Sequence, residues 1–491
     1  MNTRKDIPST ESNSDVFLND CGKIDRMGTE STFKLLLEFS IPAVFGVVVQ
    51  MLYNVIDAVY VGHAVGTDGL AATTVANPTM TAIVALAMLV GVGGNAVCAI
   101  KLGEGKKRVA ERVMGNSFTL LLVVSAVVWA IAAFAMDPIL YYSGADDAVM
   151  PHAQTFLTII IIGCPLQFIS FGMNNFIRTA GHPNRALGSM LVGTGANIVL
   201  GYLFIIVLGW GMMGAGFATV CSWAISAVFV MQFFLTKHSP LPLRRASLTI
   251  KPAIAQRIIA LGIAPSIMEM GFAVSGMIEN NLLTFYGAVD PLGSDGALAV
   301  MRVLMSVGML IIMPSMGLSM GSQPIIGYNY GAKNYVRMKA TLRQAIFVGI
   351  GITTPLWLSV VLLPDIYSHL FGLPEQYIAA TSWALIAFLI FVPILPIQII
   401  GSNYFDATGQ AIKAIALTLT RQILFLIPLL MICPIVLPRL LPVTALQGLF
   451  LAPSLSDIVS TALVIGFLIH EWRKLNKQIE LSPSAPLLPK K

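Results

Sequence analysis

Charge is scarce in this chain. Asp, Glu, Lys and Arg make up 11% of its 491 residues, and apolar types make up 56%. A soluble domain is nearer a quarter charged, so these charges cannot coat a water-facing surface of this size. The mean hydropathy of +0.80 agrees. Cysteine is sparse too. Cys21, Cys98, Cys164, Cys221 and Cys433 form no CxxC pair, which excludes a disulfide framework and a zinc ribbon; four of them lie in apolar runs and read as small packing residues. The first 30 residues lack the apolar core of a signal peptide and read as a flexible tail. GxxxxGK[ST], HExxH, GxSxG and a nucleotide-binding fingerprint are all missing. ATP as a direct energy source and the common hydrolase chemistries are thereby excluded. No catalytic cluster stands out, so the chain is not expected to be an enzyme, and neither a cofactor nor a metal site is expected.

Long uncharged runs are what it has instead. Residues 69–100, 148–177, 303–332 and 376–405 contain no Asp, Glu, Lys or Arg, and residues 186–236 form one such run of 51 positions, broken by GWGMMGAG. One helix needs about 20 apolar residues to cross a bilayer, so that run holds two helices and a tight turn. Continuous apolar blocks, rather than alternating strands, argue against a β-barrel. Twelve spans are expected near 33–62, 69–100, 115–136, 152–177, 186–208, 213–236, 254–287, 296–327, 343–363, 376–405, 411–433 and 446–471.

The loops between spans carry charge of alternating sign. Lys101, Lys106, Lys107, Arg108, Arg112, Arg178, Arg185, Lys237, Arg244, Arg245, Lys251, Arg257, Lys333, Arg337, Lys339, Arg343 and Lys413 fall on one side. The other side holds Asp68, Asp137, Asp146, Asp147, Asp290, Asp295, Asp365 and Glu375, with Arg439 as its one Lys or Arg. The positive-inside rule then places both termini in the cytoplasm. The net charge of +6 is topological, and no nucleic-acid partner is expected.

The two halves repeat each other. FSIPAVFGVVVQMLYNVIDAVYVG (39–62) parallels LGIAPSIMEMGFAVSGMIENNLLTFYG (261–287), and GVGGNAVCAIKLGEGKK (91–107) parallels GLSMGSQPIIGYNYGAK (317–333). Pro165, Asn175 and Gly181 are spaced like Pro393, Asn403 and Gly409, and GAGFATVCSWAIS (214–226) answers GLFLAPSLSDIVS (448–460). Six spans per repeat start both repeats on the same side. An axis along the membrane normal then relates them, with a cleft between. The expected fold is an all-α integral membrane protein: twelve transmembrane helices in two six-helix lobes related by a pseudo-two-fold axis along the membrane normal, with a central cleft. The expected domains are a cytoplasmic tail (1–30), an N-lobe (31–236), a cytoplasmic linker (237–253), a C-lobe (254–473) and a cytoplasmic C-terminal tail (474–491).

GTESTFKLLLEFSIPAVFGVVVQMLYNVIDAVYVGH, LVGVGGNAVCAIKLGEGKK, GSQPIIGYNYGAK, QIIGSNYFDATGQAIKA and LTRQILFLIPLLMICP occur in order across residues 28–473. In these the chain resembles the bacterial multidrug and toxic compound extrusion (MATE) transporters. The resemblance implies two six-helix lobes and export of organic cations and amphipathic compounds in exchange for H⁺ or Na⁺. It implies a multi-pass protein of the bacterial inner membrane, expected to act as a monomer among lipids. It also matches Asp57 to a cation-coupling carboxylate. Two departures stand out: Glu269 where a neutral polar residue is expected, and Asp406 in YFDATG where an amide is more usual. A lipid-linked oligosaccharide flippase, of related architecture, is the alternative; its cleft should be basic.

An ionisable group inside a bilayer costs at least about 2.5–3.5 kcal/mol on insertion scales, so each needs a partner or a task. Gln50, Asn54 and Asp57 share one helix face at i, i+4 and i+7, and form the candidate ion-coupling set. Two ion pairs are expected from matching depth: Glu279 with Arg302, and Arg421 with Asp457. Lys34 and Glu38 form an i, i+4 surface pair. Glu269 is the candidate anchor for a cationic substrate, with Asn280 on nearly the same face. Asn175 and Met305, the latter in the Met-rich run 305–320, complete the candidate substrate set. The 24 methionines and 25 phenylalanines suit a pliable apolar cavity. Pro42, Pro165, Pro265, Pro314 and Pro393 can kink their helices. His63 reads as interfacial.

Overall fold

A computed structural model describes residues 24–143, 149–236, 239–371 and 373–481. Cys21, Asp146, Asp147, Lys237, most of the expected N-terminal tail and residues 482–491 lie outside them. Among the described residues, twelve helices are long and apolar enough to cross a membrane. They are α1 (Thr32–Ala64), α2 (Asp68–Gly103), α3 (Lys107–Tyr142), α4 (Met150–Thr179), α5 (Pro183–Val207), α6 (Gly211–Leu235), α7 (Pro252–Gly287), α8 (Gly293–Gly331), α9 (Tyr335–Leu362), α10 (Glu375–Ala407), α11 (Ala411–Leu440) and α12 (Ala445–Gln478). No strand occurs among the described residues. An even number of crossings puts the start of α1 and the end of α12 on one face, called here the terminal face.

Three helices run beyond the apolar runs that mark them. α3 begins within the basic stretch at Lys107, α8 continues to Gly331, and α12 reaches Gln478. Apolar length bounds the bilayer crossing, while a helix continues until its turn chemistry stops it. The stops show the repeat directly. Gly105 and Lys333 both have left-handed φ (73° and 57°), as do Gly181 and Gly409 (86° and 76°). Each pair is separated by 228 residues. Lys333 is the non-glycine among them; Asn334 follows it and caps α9 by accepting from the Arg337 amide.

Proline acts unevenly. Pro165 sits inside a continuous α4. Its counterpart Pro393 lies in a 3₁₀ turn, Val392–Ile394, that breaks α10 into two pieces. Pro396 follows three residues later, so two backbone donors are missing from one turn.

Helices α1–α6 pack as one bundle and α7–α12 as another, and the apolar clusters cross between them: Ala255, Ile258 and Leu261 of α7 join the first bundle's core, and Leu36 of α1 joins one of the second's two. Pseudo-symmetric contacts join them: α2 lies along α7, α1 along α8, and α2 meets α8. The closest approaches lie in the terminal half of the molecule. Gly93 and Gly262 face backbone of α7 and α2 respectively, and Gly317 faces Val44 on α1. A Cβ on any of the three would run into main chain. The hydrogen bonds from Asn95 to Gln323 and from Asn329 and Arg337 to Met27, which cross between the bundles, also lie in the terminal half.

A short lead-in straps this seam. Residues 24–29 are helical, and Ile24 and Met27 are buried. Asn329 of α8 and Arg337 of α9 both donate to the Met27 carbonyl. Arg26 pairs with Glu30 at 2.9 Å and with Glu38 at 2.8 Å. Lys34 lies 3.9 Å from Glu30. The expected Lys34–Glu38 pair is thus replaced, because Arg26 reaches Glu38 from the lead-in turn.

Candidate functional site

α1 leaves the seam at Val44 and continues toward the opposite face. Asp57 lies 13 residues further on, about 20 Å along the helix at the usual 1.5 Å rise. Its Oδ1 is buried with no hydrogen-bond partner among the described residues. One turn earlier on the same helix lies Tyr53, half-buried. Asn197 of α5 donates to the Thr219 hydroxyl of α6 at 3.5 Å. Asn197 and Thr219 are both buried. Both α5 and α6 touch α1, and this buried bond ties the two of them together.

Of the candidate ion-coupling set, Asp57 is half-buried and Gln50 is exposed. Asn54 lies between them on α1, but its side chain falls outside the described residues. Tyr53, Asn197 and Thr219 were not singled out from the sequence. The one signal was the amide Asn197 inside the uncharged run 186–236; hydroxyl groups give no comparable signal.

The second bundle places its acids differently. Glu269 is half-buried on α7, without an ion pair or hydrogen bond among the described residues, and Asn280 and Met305 are exposed. Arg421 and Asp457 form the expected pair, Nε to Oδ1 at 3.0 Å, with side-chain exposures of 17% and 15%. A π-helical turn, Thr420–Leu426, sets Arg421 toward α12 and the neighbouring Gln422 toward α7, where Gln422 donates to Ser275 at 2.8 Å.

Two expectations fail. Glu279 is buried while Arg302 is exposed, and no ion pair joins them. Similar depth on adjacent helices does not fix the facing direction. Val300, Met301, Val303 and Leu304 supply the buried face of α8, and Arg302 points away from it. Asn175 does not line the opposite half either. It is buried four residues before the terminal end of α4 and accepts from Arg178 at 3.0 Å, so its carbonyl is engaged inside its own bundle.

Twelve apolar crossings form two matched bundles, joined along one half, with a carboxyl lacking a basic partner in the wall of the other half. That is the architecture of a two-bundle membrane transporter. The chain belongs to the MatE family, whose model matches residues 42–203 and 256–432, one match in each bundle. It is 26% identical over 381 residues to "Multidrug export protein MepA" of Staphylococcus haemolyticus, covering 77% of this chain and 82% of that protein. It is 24% identical over 383 residues to the protein of the same name in Staphylococcus aureus, again covering 77% and 82%. Among solved structures it is similar to an outward-facing multidrug resistance MATE family transporter, with a TM-score of 0.84 at 23% identity over 92% of this chain and 98% of that one. A transporter of the MOP superfamily from Pyrococcus furiosus, described as having a binding pocket of reverse polarity, aligns with a TM-score of 0.83 at 23% identity over 92% of this chain and 98% of that one. Likeness at this identity speaks for the fold.

Proposed function

We propose that this protein is a secondary active multidrug efflux antiporter. It exports organic cations and amphipathic compounds in exchange for H⁺, or for Na⁺, by alternating access. The names of the MepA relatives support the substrate class. The observation that carries the coupling is the buried Oδ1 of Asp57, which has no hydrogen-bond partner among the described residues. A carboxylate out of water is costly unless a cation joins it. Rocking of the bundles alters water access to Asp57 and so its affinity for a cation. A proton needs only the carboxyl; Na⁺ would use the surrounding oxygens as well.

The basic loops put the terminal face in the cytoplasm. The seam is then closed on the cytoplasmic side, and the cleft opens outward. The protein acts as a monomer in the bacterial inner membrane. A membrane potential supplies about 2.3 kcal/mol per charge per 100 mV, and one pH unit about 1.4 kcal/mol. One proton thus offsets roughly a hundred- to a thousandfold gradient of a neutral solute. Glu269 serves as the cation anchor in the second bundle, with Asn280 and Met305 as further substrate-binding residues.

A flippase for pyrophosphate-linked lipids would need free basic groups in the cleft. Arg178 and Arg421 are bound inside their own bundles, which leaves Arg302 as the exposed arginine of the opposite half of α8. The deciding experiment is dye efflux from proteoliposomes under imposed pH or Na⁺ gradients, with Asp57→Asn alongside. Coupled efflux should disappear in the variant while expression is kept. Efflux indifferent to both gradients would refute the antiport.

A further inference from the structure

Asp406, near the terminal end of α10, belongs to no site described above. It is 3% exposed. Its Oδ2 accepts from the Gln323 amide of α8 at 3.3 Å, and its Oδ1 is buried with no partner among the described residues. The Gln323 carbonyl in turn accepts from the Asn95 amide of α2 at 3.3 Å, and the Asn95 carbonyl accepts from the Thr179 hydroxyl of α4. A single file of donors therefore runs from the first bundle across the seam and ends on this carboxyl.

The charged groups of the neighbouring elements are engaged elsewhere. Lys101 of α2 pairs with Glu104. On α4, Arg178 donates to Asn175 and points toward Met190 of α5. Glu471 of α12 holds Lys413 of α11 at 2.6 Å, and Gln410 donates to Glu471. Arg337 of α9 binds the lead-in carbonyls, and Lys339 binds Asn476. Arg257 of α7 passes close to Gly409, and the Tyr404 hydroxyl is unpartnered. None of them bonds Asp406.

We infer that Asp406 is a second proton-binding carboxyl, which is protonated while the seam is closed and releases its proton to the terminal face as the bundles part there. An ionised carboxylate offers about four acceptor positions, and here one amide fills one of them. A neutral carboxyl is the cheaper buried form by a wide margin. Parting the seam draws Asn95 from Gln323 and admits water, which favours ionisation. The proton is bound to the carboxyl in one state and passes to water in the other. The inference rests on alternating access as proposed above, though not on the assignment of Asp57.

The test is a distance across the terminal face. Asn184 on α5 and Ile412 on α11 are both exposed, one in each bundle. Spin labels at Asn184→Cys and Ile412→Cys, in a cysteine-free Asp57→Asn background, report seam opening by pulsed electron resonance with no contribution from Asp57. Raising pH should shift the population from short to long distance. Asp406→Asn should lose that response and stay short, and Asp406→Glu should retain it. An equal pH response in Asp406→Asn, or a pH-independent distance in the unsubstituted Asp406 background, would overturn the inference. Proteoliposome efflux of the Asp57→Asn protein tests the antiport separately, so the two can fail independently.

Discussion

Asn95 and Gln323 join the two bundles amide to amide at 3.3 Å. They are 228 residues apart, the same separation that relates Gly105 to Lys333 and Gly181 to Gly409. A residue and its repeat counterpart thus meet at the pseudo-two-fold axis. This is where a hydrogen bond opposes parting of the bundles without favouring either of them.

Asn95→Ala should therefore loosen the closed seam rather than unfold the protein. Removing a buried partner costs about 1–3 kcal/mol, a fivefold or larger shift toward the parted state. The spin-label pair across the terminal face reads that shift. An unchanged distance distribution would mean that the glycine contacts and the lead-in strap hold the seam without it.

Around Asp57, the neutral groups are expected to tune affinity. Thr219→Val removes the hydroxyl to which Asn197 donates while nearly conserving volume. If Na⁺ is the coupled ion, this loss of an oxygen should raise the Na⁺ concentration needed for half-maximal efflux about tenfold, the worth of roughly 1.4 kcal/mol. If H⁺ is the ion, Na⁺ dependence is absent and the change moves the pH profile instead. Efflux insensitive to Thr219→Val under both gradients would remove Thr219 from the site.

Arg421 and Asp457 differ from these in being a closed pair. Arg421→Met leaves Asp457 buried without its cation, and breaking such a pair typically costs about 3–5 kcal/mol. The Tm in detergent should fall by several degrees. Arg421→Met with Asp457→Leu should recover most of the loss, since a buried pair exchanged for apolar groups is often neutral. A double variant as unstable as the single one would show that the hydrogen bond from Ser456 to the Arg421 carbonyl, or the π turn, is what holds the region.

The pattern of charge and apolar length revealed how many helices there are and where they cross, because both are one-dimensional properties. The repeat revealed the symmetry. The direction each side chain faces was less legible. Arg421 and Asp457 face each other, whereas Glu279 and Arg302 do not, although both pairs were matched on depth. Facing is set by which neighbours form the buried stripe, and in long helices apolar on all sides the stripe leaves little trace. Thr219, Tyr53 and Thr179 were invisible for a related reason: a hydroxyl in an apolar run is common, and only a folded neighbour gives it a role. Asn175 was visible as an amide, but not that Arg178, one turn away, would claim it.

The lead-in strap makes the last prediction. Arg26 donates to both Glu30 oxygens, and this hydrogen bonding holds the Glu30 carboxyl below its ordinary range. A depressed carboxyl contributes stability that is complete above the unfolded value, ~4.3 for Glu, and is lost as pH falls through the lower folded value. Docking of residues 24–31 should then be insensitive to pH above about 5 and weaken below it. Arg26→Gln removes both the Glu30 and Glu38 contacts at any pH. Hydrogen exchange at neutral pH should show faster exchange in residues 24–31 of this variant, with α2 and α8 unchanged. High salt should produce a weaker form of the same effect in the native protein, since these side chains are about 30% exposed and open to screening. If exchange there is unaltered by Arg26→Gln, then buried Ile24 and Met27, with the Asn329 and Arg337 hydrogen bonds, hold the strap without help from the charges.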